Sequence, residues 1–123
     1  MSTHLHLYYS NWTNESRAFR SGSAALEAKL ATDILFVGHY KDNTATIEQP
    51  NKNFTVIRYN LLPNVNKNRI IRILSLPIWY LKCLILTPKN DISLVISHSL
   101  ASLPIAICLS KLLRTPLLYD AHE

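Results

Sequence analysis

The sequence predicts an α/β domain built on a mainly parallel β-sheet with flanking helices. Short apolar runs typical of buried strands recur at residues 34–37, 54–57 and 93–97. Segments with helical spacing of apolar residues separate these runs, and strands that alternate with helices form parallel sheets with right-handed crossovers. The length of 123 residues and the hydrophobic fraction of 48% fit one packed domain.

The first two elements are a strand and a helix. Residues 4–9 alternate in polarity and are rich in Leu and Tyr, which predicts a strand. Residues 16–31 carry apolar and small side chains at helical spacing, with Asn14 or Ser16 available as the N-cap. Gly22 weakens this helix without ending it.

The middle of the chain contains a connection and a long apolar helix. The polar segment 41–53 is predicted to be a loop. Residues 66–86 have apolar side chains around most of a helix, interrupted by Arg72, Pro77 and Lys82. A membrane span needs about 20 mostly apolar residues with few charges, so a kinked, amphipathic helix is the better interpretation.

The last two predicted elements are a helix and a strand. An apolar stripe places a helix between about 103 and 114, with Pro104 acceptable close to its start. Pro116 ends the helix, and residues 117–119 form the last strand.

Polar clusters follow three of the predicted strands. In open parallel sheets, ligands bind beyond the carboxyl ends of the strands. The clusters are Ser10 and Asn11 after the first strand, Ser97 to Ser99 after the strand at 93–97, and residues 120–123 after the last strand. Only two glycines occur, so the glycine-rich phosphate-binding motifs of dinucleotide and P-loop proteins are absent.

The formal charge of +5 is unevenly distributed. No acidic residue lies between Glu48 and Asp91, a segment that should prefer an anionic neighbour. Its basic residues are Lys52, Arg58, Lys67, Arg69, Arg72, Lys82 and Lys89. Two interpretations stay open: a patch against an anionic membrane surface, with Trp79 among its apolar residues, or a core helix with solvated cations.

The remaining composition favours a cytoplasmic protein. Cys83 and Cys108 lie in apolar runs without metal-ligand spacing, which predicts two buried thiols in a reducing compartment. The N-terminus lacks the pattern of a signal peptide. Nucleic-acid binding is disfavoured, because the sequence offers no reading helix and no aromatic stacking platform on a basic face.

Two stretches of the sequence resemble a known family. The run Ser93-Leu-Val-Ile-Ser-His98-Ser-Leu-Ala-Ser-Leu-Pro104, with Thr115-Pro-Leu-Leu-Tyr-Asp-Ala-His122-Glu123 after a helix, resembles the N-terminal domain of family-four glycosyltransferases. The segment 14–20 and its alanine-rich continuation are similar to the first helix of that family. The family fold, GT-B, has two Rossmann-like domains, of which the N-terminal one holds the acceptor and the C-terminal one holds a nucleotide sugar.

The resemblance implies roles for particular residues. His122 matches the family's histidine at the reaction centre, and an imidazole with a pKa near 6.5 can donate or accept a proton at neutral pH. Glu123 and Asp120 beside it could orient the ring or contact sugar hydroxyls, although Asp120 could instead cap a turn. The other acceptor-binding candidates are Asn11, Arg17 and His98, and for His98 a structural hydrogen bond is an equal alternative.

The implied activity is retaining transfer of a sugar from a nucleotide-sugar donor to a glycan or lipid acceptor, without a metal or other cofactor. The chain would be a partial acceptor-side domain, 1–123, that lacks the donor-binding domain and is inactive alone. It would work in the cytoplasm, with the inner face of the membrane as a further location. Alternatives are a truncated, non-catalytic remnant, or another two-domain nucleotide-sugar enzyme such as an epimerase.

Overall fold

The computed structural model describes residues 2–10, 12, 16–40, 45–61 and 68–120, which form one six-stranded sheet with three helices. The strand order is β3-β4-β2-β1-β5-β6, and every pairing is parallel except that of β3 with β4. The strands are β1 (Thr3–Leu7), β2 (Asp33–His39), β3 (Ile47–Asn51), β4 (Phe54–Tyr59), β5 (Ile92–Ser97) and β6 (Leu117–Tyr119). The helices are α1 (Ser16–Glu27), α2 (Arg69–Leu86) and α3 (Leu103–Leu113).

This architecture confirms the predicted α/β class and the mainly parallel sheet. One element was missed, because the segment 41–53 was predicted to be a connection and yet contains β3. β3 is an antiparallel edge strand whose residues are all exposed, and it contains Pro50. Proline is tolerated on an edge because the N–H that it lacks would face solvent. An exposed strand has no apolar pattern by which the sequence could reveal it.

Alternation along β1 divides the core into two layers. Leu5 and Leu7 pack with α2 and α3 on one face of the sheet. His4 and His6 point to the opposite face, where Phe36 packs with residues of α1. We refer to these as the α2/α3 face and the α1 face.

The order of the strands creates a switch point in the middle of the sheet. From β1 the chain moves to β2 on one side, and after β4 it crosses over through α2 to β5 on the other side of β1. The loops that leave β1 and β5 therefore run to opposite faces. In open α/β sheets this divergence opens a crevice at the carboxyl ends of the two strands.

Helix α2 covers the α2/α3 face together with α3. Asn68 caps it, accepting a hydrogen bond from the Ile70 N–H through its side-chain oxygen. Trp79 is fully buried and its indole N–H donates to the Gly38 carbonyl at 3.0 Å, so it belongs to the core and cannot be part of a membrane patch. No helix in the described part of the chain is both long and apolar enough to span a membrane.

The prediction of two buried thiols is half wrong. Cys83 lies in the core, where burial raises the pKa of its thiol. Cys108 is exposed, because it lies on the outer side of α3, whose inward residues are Ile105, Ala106 and Leu109. The apolar neighbours of Cys108 in the sequence do not distinguish the two sides of this helix.

Candidate functional site

The carboxyl ends of β1, β5 and β6 are joined by hydrogen bonds that continue beyond the strands. The His98 N–H donates to the Leu7 carbonyl at 2.9 Å, and the Asp120 N–H donates to the Ser97 carbonyl at 2.8 Å. These bonds fix the residue that follows β5 beside the end of β1, and the residue that follows β6 beside the end of β5. Asp120 and the cluster Ser97 to Ser99, which belong to two of the predicted polar clusters, therefore lie together at this edge of the sheet.

Two buried histidines lie at the centre of this edge. His6 Nδ1 and His98 Nε2 are 2.8 Å apart, and the two rings are stacked with an angle of 16° between their planes. Their exposed fractions are 1% and 0%. A hydrogen bond at this distance needs one ring as donor and the other as acceptor, so the pair can be neutral or carry one extra proton, but not two.

A carboxylate and a guanidinium extend this pair toward solvent. Asp120 Oδ2 lies 3.9 Å from His98 Nδ1, and Asp120 Oδ1 accepts a hydrogen bond from the Arg17 guanidinium at 3.0 Å. The side chains of Asp120 and Arg17 are 27% and 61% exposed. His6, His98, Asp120 and Arg17 thus form a row that runs from the core to the surface, which we call the polar row.

A serine cluster fixes the loop that carries His98. The Ser102 hydroxyl is at the centre of this cluster. It lies 2.8 Å from the Ser97 hydroxyl, 3.1 Å from the Ser99 hydroxyl and 3.1 Å from the Leu7 carbonyl. All three serines are buried. Because α3 begins directly after Ser102, the cluster ties the start of the helix to the end of β1. It holds the backbone of His98 in place.

Aromatic side chains enclose the inner part of the polar row. The Tyr8 ring stacks against His98, and the Trp12 ring meets it edge to face with 5.4 Å between centroids. Trp12 adopts a left-handed backbone conformation, with φ of 59°, and lies directly over Gly38. A Cβ at position 38 would overlap with the Trp12 ring and the Ser10 carbonyl, so this arrangement requires glycine.

The polar row is a continuous set of polar side chains. The hydrogen bond between the His6 and His98 rings joins one donor and one acceptor nitrogen, and Asp120 Oδ2 lies 3.9 Å from the second nitrogen of His98. Asp120 is the outermost acceptor and Arg17 its cationic partner, a combination that can bind hydroxyl or phosphate groups. In the described part of the chain, no three His, Cys, Asp or Glu residues are grouped so as to hold a metal ion.

The structure brings together three of the six predicted site residues: Arg17, His98 and Asp120. Asn11, His122 and Glu123 lie outside the described residues. His98 makes the structural hydrogen bond that was one of its two interpretations. The partner His6 was missed, because its place on β1 indicated only packing or solvent exposure. One signal could have indicated His6: it is a polar residue on a central strand, and a second histidine, His98, follows β5, the strand that pairs with β1.

The fold and this edge define an α/β domain with a polar site at the switch point of its sheet. Comparison of the sequence with models of known protein families gave no match, and comparison with curated proteins gave none either. The function therefore has to be argued from the site.

Proposed function

We propose that the chain is the acceptor-side, N-terminal Rossmann-like domain of a family-four, GT-B-fold retaining glycosyltransferase. The complete protein would transfer a sugar from a nucleotide-sugar donor to a glycan or lipid acceptor. The observation that carries the proposal is the polar row at the switch point of the sheet. Its outer carboxylate, Asp120, is two positions before His122, the residue that the resemblance matches to the catalytic histidine of the family.

The groups of the polar row suit a sugar acceptor. A sugar hydroxyl both donates and accepts hydrogen bonds, and Asp120 and Arg17 offer an acceptor and a donor at one place. The buried histidine pair beside Asp120 adds two imidazole rings, which can each donate or accept a hydrogen bond. Fixed polar groups in a partly enclosed crevice are also what positions a reacting hydroxyl.

In this proposal the domains share the work. The nucleotide sugar is a substrate bound mainly by a second domain, and no cofactor takes part. His122 would act at the reaction centre, Asn11 and Glu123 would join Asp120 and Arg17 in holding the acceptor, and His98 would pack behind Asp120.

The test is a binding experiment with the 123-residue chain on an array of oligosaccharides and glycolipids. We expect the wild type to bind a set of related glycans, and Asp120→Asn to lose about tenfold or more in affinity, since a hydrogen bond to a charged group contributes about 1.5–3 kcal/mol. The matched control is Arg20→Gln, which removes an exposed charge from α1 without touching the polar row. It should bind as the wild type does.

Two results would count against the proposal. Binding of no glycan, or binding that Asp120→Asn leaves unchanged, would remove the acceptor role from the polar row. Turnover of a nucleotide sugar by the purified chain would contradict the assignment of the donor to a second domain.

A further inference from the structure

The outer surface of the α2/α3 face is apolar along the whole length of α2. The exposed side chains of this helix include Ile70, Leu74, Leu81 and Ile85, each 58% to 67% exposed. Their spacing of four, seven and four residues places them in one stripe, opposite the buried Trp79. At 1.5 Å per residue, the 18-residue helix gives this stripe a length of about 27 Å.

A groove continues the stripe onto α3. It has a volume of about 360 Å³ and is lined by residues of both helices. Its lining includes Pro77, Leu81, Leu84, Pro104, Ile105 and Cys108. Exposed Ile107 and Leu112 extend the apolar surface farther along α3.

The charged residues of these two helices have one sign. Neither α2 nor α3 contains an acidic residue. Exposed Arg69 begins α2, and exposed Lys111 and Arg114 lie at the end of α3. Lys82 is next to Leu81 in the sequence and donates to the Asn60 carbonyl, a neutral partner.

Arg69 conflicts with the local electrostatics of its own helix. A cation in the first turn faces the positive end of the helix dipole, where an acidic residue would be stabilising, and α2 has no acid there. Residues that oppose local rules occur where a function requires them. An anionic partner would offset this cost.

From these observations we propose that the α2/α3 face docks on the surface of an anionic lipid bilayer, with the α2 stripe in the interface and the cations against lipid headgroups. A second copy of this chain is a less suitable partner, because contact between two such faces would bring two sets of cations together and they would repel each other. An acidic protein would need hydrogen-bonding groups within its contact, and the stripe has none. The docking surface is separate from the polar row, so it stands or falls independently of the proposed function.

The experiment is co-sedimentation of the chain with vesicles, either of phosphatidylcholine alone or of phosphatidylcholine with one quarter phosphatidylglycerol. We expect binding to the anionic vesicles that weakens as salt is added. Each cation near the surface contributes about 1 kcal/mol, or about fivefold in partitioning, so Arg69→Gln with Lys111→Gln should lower the partition coefficient about 25-fold. The charge-matched control on the opposite face, Arg20→Gln with Lys29→Gln, also removes two exposed cations and should change it less than twofold.

A second pair of variants tests the stripe itself. Leu74→Asn with Leu81→Asn should reduce binding at least tenfold. Leu30→Asn, which alters a side chain that is 66% exposed after α1, should leave binding unchanged. Circular dichroism before each measurement confirms that the variants are folded.

The exposed thiol of Cys108 locates the contact. An environment-sensitive fluorophore attached there should shift to the blue on addition of anionic vesicles, because Cys108 lines the groove. The same fluorophore at exposed position 23 of α1, in Cys108→Ser with Ser23→Cys, should not shift.

Three outcomes would overturn the proposal. These are no binding to anionic vesicles, equal binding to neutral vesicles, and binding that the α2 and α3 variants do not weaken. Self-association of the chain that Leu74→Asn abolishes, in the absence of vesicle binding, would assign the stripe to a contact between copies. Retention of the chain on an acidic polypeptide, without vesicle binding, would assign the surface to an acidic protein.

Discussion

Replacing His6 and His98 by leucine, singly and together, measures the energy that couples them. Leucine is an apolar residue of similar size, so each single variant removes the 2.8 Å hydrogen bond and leaves the other imidazole without that partner. Both rings are at most 1% exposed, so water cannot replace the lost contact. The double variant leaves no imidazole behind.

The magnitude follows from the cost of an unmet buried polar group. Losing the bond and stranding one ring nitrogen should destabilise each single variant by about 2–3 kcal/mol. The double variant should lose less unfolding free energy than the two single variants lose together, by about 1.5–3 kcal/mol. A coupling energy of this size is expected only of residues in contact. The packing contribution of leucine cancels in this difference.

Urea unfolding followed by tryptophan fluorescence is the assay, because Trp12 and Trp79 are both buried in the native state. His4 supplies the control: it is also buried on the same face of β1, but it lies two residues farther than His6 from the carboxyl end of the strand, where His98 is located. His4→Leu and His98→Leu should therefore add. Additivity of His6→Leu and His98→Leu to within about 0.5 kcal/mol would refute the coupled pair.

Three further predictions concern other parts of the core. Gly38→Ala should destabilise the protein by about 2–4 kcal/mol in the same urea assay, because its methyl group would overlap with the Trp12 ring; a loss below about 1 kcal/mol would contradict this packing. Burial, and then the Arg72 charge, lowers the pKa of His39 below 6.5, so the unfolded state binds the proton more readily. The urea concentration at the unfolding midpoint should therefore decrease as the pH is lowered from 7.5 to 5.5, and His39→Gln should make that decrease smaller. A thiol reagent should modify Cys108 in the native protein and Cys83 only after unfolding, since Cys83 is buried; equal rates would count against the described core.

Much of the fold could be predicted from the sequence because its signals are local. The apolar runs that became β2, β4 and β5 have no other stable place than the centre of a covered sheet. Helix α1 passes through Gly22 as expected, and Pro104 lies in the first turn of α3. The edge strand β3 was not predicted, because its residues are all exposed and show no alternation of apolar and polar side chains.

The candidate site was predicted only in part. The rule that ligands bind at the carboxyl ends of parallel strands selected His98 and Asp120, and the two do lie together. It did not select His6, because that rule applies to residues at the ends of strands and His6 lies within β1, where only the pairing of β1 with β5 brings it close to His98.

By itself the sequence determined the order of the elements, the basic segment without acids and the residues at the strand ends, since these depend on composition and spacing along the chain. The tertiary structure decided which of them meet. His6 and His98 are 92 positions apart, and Arg17 and Asp120 are 103 positions apart. The strand order, with β5 beside β1, brings them into contact. The same tertiary packing turned Trp79 inward and left the α2 stripe outside, because only one side of a helix can face the sheet.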